Sequence, residues 1–183
     1  MLVKVEFPIP ISGNRNFTYG KELTQKLYEL ESFPELDEMF SQHIGRTVKV
    51  LRLYRNLIRR AQEDDIGDDG YRFRDDEECV TFAVREAASF DDFVTIMAHE
   101  AAHGVLHFHW DEETDGFRKF NLGKDDEEAF CWKVSRLVCA KIGYAYNEQL
   151  ATLLFNFHIA TQHRDATAVE AAHAALPERH RFL

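Results

Sequence analysis

The stretch Phe93-Val94-Thr95-Ile96-Met97-Ala98-His99-Glu100-Ala101-Ala102-His103-Gly104-Val105-Leu106-His107-Phe108-His109-Trp110 decides how this chain folds. Glu100 is its only formally charged side chain at neutral pH. Ser89-Phe90-Asp91-Asp92, just before it, has the make-up of a capped helix start, with acids at the positive end of the helix dipole. A helix this apolar belongs in a core, where a carboxylate is costly unless paired or bound. His99 and His103 lie four residues apart and so project from one face, close enough to grip a single ion. Glu100 is rotated by about 100° from His99, beside such an ion rather than on it. A buried helix whose histidines merely found hydrogen-bond partners would leave Glu100 without a reason.

His-Glu-x-x-His on a helix is the donor pattern of a hydrolytic Zn2+ site, with two imidazole ligands and the Glu as general base. Such a site takes a third protein ligand and keeps one position open. His109 has the spacing of a metzincin third histidine, but that pattern needs Gly where this chain has Leu106, and Gly104 comes too early. His107 stands about 12 Å from His99 along an unbroken helix, too far to share its ion, and is expected to be accessory. The better source is Asp125-Asp126-Glu127-Glu128, which opens the next helix. Glu127 points to the middle of the face formed by Phe130, Cys131, Val134 and Val138. Glu128 lies at its edge above Cys131 and Ser135, small residues that let this helix approach the first. The expected metal ligands are therefore His99, His103 and Glu128, with Glu127 in reserve, and Glu100 is the expected catalytic residue.

With 183 residues, 45% of them hydrophobic and 15 Phe, the chain can bury a sizeable core and is not disordered. A net charge of −10 disfavours binding to nucleic-acid phosphates. On a helix Arg52, Arg55 and Arg59 would share a face, which nearby acids are expected to balance. Met1 to Gly13 lacks the basic start and apolar run of a signal peptide, and no uncharged segment has membrane-spanning character. Cys79, Cys131 and Cys139 are odd in number and lack CxxC spacing, so no disulfide framework is expected. A cytoplasmic setting fits this usage.

All four prolines lie toward the two ends, leaving the middle free for uninterrupted helices. Leu2 to Ile11 is expected to hold a short edge strand. Lys21 to Glu31 has helical spacing, and Ser32-Phe33-Pro34-Glu35 looks like a capping box for a second helix. Thr47 to Gln62 mixes both periods, and its length favours helix. Glu63 to Glu78 is expected to be an acidic surface loop around a short Tyr71–Phe73 strand, whereas Cys79 to Arg85 alternates as a strand should. Trp110 to Lys124, polar and holding two Gly, is expected to be a loop. Helices follow from Asp125 to about Ile142, Asn147 to Gln162 and Ala166 to Ala175. The expected fold is α+β: one mostly helical domain over residues 1–183 with a small β-sheet. Residues 1–66 would form an N-terminal helical part, 79–145 the metal-site core and 146–183 the C-terminal helices.

On His99-Glu100-Ala101-Ala102-His103, the following His107 and the acidic start of the next helix, the chain resembles the Glu-zincin (gluzincin) metallopeptidases. Among them it is most similar to the ImmA/IrrE-like group, over roughly residues 79–142. The resemblance implies a zincin-like fold and zinc-dependent hydrolysis of a peptide bond, with narrow specificity for one protein substrate. It also implies that strand Cys79 to Arg85 is the edge against which an extended peptide adds. By this reading Glu100 takes a proton from water and passes it to the leaving amine. Tyr144, Tyr146, His158 and His163 remain equal candidates for the group that stabilises the oxyanion. The competing reading is a non-catalytic interaction or regulatory protein that retains the metal and engages a protein partner. Glu100 weighs against it, because a closed structural site needs no base.

Overall fold

The computed structural model describes residues 4–5, 15–63, 72–74, 79–81, 89–111, 116–119 and 126–177, with side-chain surroundings for 18–58, 89–107 and 126–177. Among the described residues, seven helices carry the fold: α1 (Arg15–Tyr28), α2 (Pro34–Ile44), α3 (Leu51–Glu63), α4 (Phe90–His107), α5 (Glu127–Ile142), α6 (Glu148–Gln162) and α7 (Ala166–Ala175). Helix α4 packs against α1, α3, α5 and α6, with its longest contact along α5. Its apolar make-up is the cause, since nearly every residue from Asp92 to Leu106 is buried.

Several of the polar groups that come inside with α4 are paired to its neighbours. Ser89 Oγ accepts from the Asp92 N–H at 3.1 Å, the expected cap. Asp92 is buried and accepts from Asn147 Nδ2 at 2.5 Å, while the Asn147 N–H donates to Thr95 Oγ1 at 3.0 Å. Asn147 also caps α6, accepting from the Leu150 N–H, so α6 starts from a point fixed on α4. Ser135 Oγ of α5 donates to the Thr95 carbonyl at 2.5 Å, a contact that only a small residue permits. The buried Tyr54 of α3 donates to the Ala98 carbonyl at 2.7 Å, one residue before His99. One core cluster runs through all of this, from Leu23 to Leu150.

The expected α+β class is not what the chain builds. Of the residues whose packing is described, 79% are helical and none lies in a strand, so the core is helix on helix. Among the described residues, extended pairing is confined to backbone runs of two to four residues, too short to form a packed layer. Strands β1 (Lys4–Val5), β2 (Arg72–Arg74) and β3 (Cys79–Thr81) pair in the order β1-β3-β2, and β4 (Phe108–Asp111) pairs with β5 (Gly116–Lys119). Strand β3 was expected to offer a free edge to substrate. Instead it lies between a parallel and an antiparallel neighbour, so both of its hydrogen-bonding sides are taken. Residues 82–85 of that expected strand lie outside the described residues.

Other differences have local causes. The loop expected at Trp110–Lys124 contains antiparallel pairing from Phe108↔Lys119 to Asp111↔Gly116, because aromatic and polar residues alternate there with period two. His109 therefore stands on β4, beyond the helix. The capping box at Ser32 is absent: Pro34 takes the first helical position, which makes Phe33 the cap residue, with no side-chain cap bond. Helix α1 starts and ends earlier than the Lys21–Glu31 expected. Helix α3 starts only at Leu51, because Val48 and Val50 donate instead to Ser41 Oγ and Asp37 Oδ1 of α2. Arg55, on the basic face of α3, donates to the Leu27 carbonyl at 2.8 Å and lies over the Tyr28 ring, so it fastens α3 to α1. Among the described residues, no helix is long and apolar enough to cross a membrane.

Replacing Tyr54 by Phe keeps the ring and removes the bond to Ala98. Urea unfolding should show a loss of about 1 kcal/mol, and an unchanged midpoint and slope would contradict a structural role for that hydroxyl.

Candidate metal centre

Helix α4 presents His99, His103 and His107 along one face, and the first turn of α5 brings Glu127 and Glu128 against it. Acids are at ease at a helix start, and the close approach through Ser135 carries that start to the histidines. The five groups sort into two sets by distance.

In the first set, His103 Nε2 lies 3.1 Å from His99 Nε2 and 3.1 Å from Glu128 Oε2, and His99 Nε2 lies 3.3 Å from Glu128 Oε1. A tetrahedral zinc ion with bonds of about 2.0–2.1 Å holds its donor atoms roughly 3.3 Å apart. Two imidazole nitrogens and a carboxylate at this spacing therefore suit such an ion in both size and chemistry. In the second set, one oxygen, Glu127 Oε1, accepts from His103 Nδ1 at 2.6 Å and from His107 Nε2 at 2.7 Å. Those are hydrogen-bond lengths, too short for donors sharing an ion. His103, His107 and Glu127 could also be grouped as metal ligands, but this spacing makes them a support. Glu127 fixes the His103 ring and leaves Nε2 turned toward the first set, an arrangement that typically orients a metal-bound histidine.

The expected residues thus divide as follows. His99, His103 and Glu128 come together, and Glu127, the reserve ligand, stands one shell out on the far nitrogen of His103. His107 does not reach His99 but joins through Glu127. Glu100 is half-buried and makes no hydrogen bond or ion pair among the described residues. Two contributors were missed. The Trp132 ring stacks on His99 with centroids 3.7 Å apart, and its Nε1–H donates to Glu128 Oε1 at 3.0 Å. Its spacing of four from Glu128 was the available signal. Cys131, buried on the same face, touches His103.

Burial and pairing set the charges. Burial lowers the His99 pKa to about 4 and pushes the Glu100 carboxyl up to about 7. For Glu127, burial acts upward, but the hydrogen bonds from His103 and His107 prevail and hold it down to about 2. Glu128 is held well below the usual carboxylate range in the same way, burial being outweighed by His103 and His99. Burial disfavours a charge on His103, yet its contacts with Cys131, Glu127 and Glu128 raise it far above an ordinary imidazole. The two carboxylates thus gather positive charge between the helices, whether as a proton on His103 or as a metal ion.

No protein-family model, curated protein or solved structure matches this chain.

Two outcomes follow. With Trp110 replaced by Phe, added zinc should change the emission of Trp132 saturably at one equivalent. A His99→Ala variant should lose that response, and no response in the parent would contradict the site. In chelator, a His pKa depressed on folding gives stability that is present above pH 6.5 and lost as pH falls through about 4. The lowered Glu127 adds a loss from about 4.5 toward 2, whereas the raised His103 contributes fully below 6.5 and does not offset either. Urea midpoints should therefore fall progressively from pH 6.5 to 4, and His99→Asn should flatten that limb.

Proposed function

We infer that the chain is a zinc-dependent peptidase of the His-Glu-x-x-His type, hydrolysing a peptide bond in a peptide or protein substrate. The observation that carries this is the donor set of His99, His103 and Glu128, in which the two Nε2 atoms lie 3.1 Å apart and each meets a different oxygen of Glu128 at 3.1–3.3 Å, beside a Glu100 carboxylate without a partner among the described residues. Three protein donors leave one position for substrate or water, whereas a structural site is normally closed by four. The resemblance to the zincins supports the same chemistry. The reading rests on the site and not on a sheet platform, since the core is helical.

A zinc ion there would supply Lewis-acid polarisation of a carbonyl and make water acidic near neutral pH. His99, His103 and Glu128 would hold it, while Glu127 and Trp132 keep His103 and Glu128 in place. Glu100 acts as the base: its carboxylate takes a proton from the attacking water and returns it to the leaving amine. Burial poises that carboxyl near the working pH, where it can both accept and give a proton.

The purified protein should carry one zinc per chain, and His103→Ala should carry none. Glu100→Gln should keep the zinc yet lose hydrolysis by at least about a hundredfold, read by mass spectrometry on a mixed peptide library. Full cleavage by Glu100→Gln, or full zinc in His103→Ala, would overturn the assignment.

A further inference from the structure

We propose that Trp132 is a positioning residue that makes Glu128 a one-oxygen ligand: its indole N–H takes up Oε1 and leaves Oε2 for the ion. The proposal rests on the zinc-peptidase reading above. By distance alone either oxygen could serve, because Oε2 lies 3.1 Å from His103 Nε2 and Oε1 lies 3.3 Å from His99 Nε2. The indole separates them. Trp132 Nε1–H donates to Oε1 at 3.0 Å, while His158 Nδ1 of α6 stands 3.8 Å from Oε2, too far for a hydrogen bond. Trp132 is buried and the Glu128 side chain is only 11% exposed, so water competes little for that bond.

The same ring also holds His99. A metal-bound imidazole typically gives its far N–H to an acceptor that fixes the ring, as Glu127 does for His103. His99 lacks that acceptor: its Nδ1 is shielded from solvent and has no hydrogen-bond partner. What such an acceptor removes is rotation of the ring about the Cβ–Cγ bond, a soft torsion in histidine. A flat wall removes it too. The indole lies against the His99 ring with centroids 3.7 Å apart and planes 24° apart, so it sets the plane in which Nε2 points. One residue thus holds two of the three donors, one from each helix. Trp132 can do so because it follows Glu128 by one turn of α5, and a long helical side chain leans back over the preceding turn.

The consequence for the site is an open position. A carboxylate that gave both oxygens to the ion would fill the place that water or a substrate carbonyl needs. With Oε1 tied to the indole, three protein atoms hold the ion and the fourth place stays free.

The test loads the whole chain with Co2+ and follows its affinity and its visible spectrum in wild type, Trp132→Phe and Trp132→Ala. Trp132→Phe keeps a wall for His99 but frees Oε1. It should bind Co2+ about tenfold more weakly. It should also lose much of the visible absorption per bound ion, the mark of a change from four ligands to five. Trp132→Ala removes the wall as well, and its affinity should fall about a hundredfold below wild type. An unchanged spectrum in Trp132→Phe would overturn the proposal and leave Trp132 a packing residue. A second measurement needs no change at Trp132. In the zinc-loaded protein its indole proton, assigned as the one that survives Trp110→Phe, should exchange with deuterium no faster than in the zinc-free chain. Faster exchange on loading would mean that the bond to Oε1 opens, and would also overturn the proposal. A wild-type chain that takes up neither Co2+ nor zinc would overturn the peptidase reading as well.

Discussion

The closeness of α4 and α5 is the constraint on which the rest depends. The Ser135 hydroxyl reaches the Thr95 carbonyl at 2.5 Å, and Cys131 and Cys139 lie on the same buried face. Larger residues there would hold the helices apart and carry Glu127 and Glu128 out of range of the histidines. With the helices in contact, two carboxylates from the start of one meet three imidazoles on the face of the other. Acids at a helix start are favourable in their own right; the packing puts that preference to use.

The same contact explains why the two glutamates behave differently. They are adjacent in sequence and so turned by about 100° from one another on the helix. Glu128 meets the His99 and His103 nitrogens that face each other, while Glu127 meets the far nitrogen of His103 and the near nitrogen of His107. In the proposed zinc site one carboxylate would bind the ion and the other would hold a ligand histidine. Trp132 adds a wall against His99 and a donor to Glu128. Glu100 is left without a hydrogen bond or ion pair among the described residues, and burial makes that costly for a carboxylate.

Much of the site was legible because helical spacing is short-range: His99, His103 and Glu100 are set by one helix, and the choice of Glu128 followed from its place above Cys131 and Ser135. The position of His158 was not legible, since it depends on how α6 is pinned by Asn147 to Thr95 and Asp92 across more than fifty residues of chain. The fold class was misjudged for a related reason. Alternation at Cys79–Arg85 marks extended backbone, but it cannot tell whether short pairs grow into a layer of the core, and among the described residues the core is built from helices. Alternation at Phe108–Asp111 was hidden by the polar residues and glycines that follow it.

The central claim is that His99, His103 and Glu128 bind one zinc ion with a position left open. Zinc K-edge X-ray absorption on the loaded protein tests it most directly. The account predicts a first shell of four nitrogen and oxygen atoms at about 2.0–2.1 Å, with outer-shell scattering from two imidazoles. A sulfur at about 2.3 Å, which would bring Cys131 into the shell, or a six-oxygen shell without imidazole scattering, would contradict it.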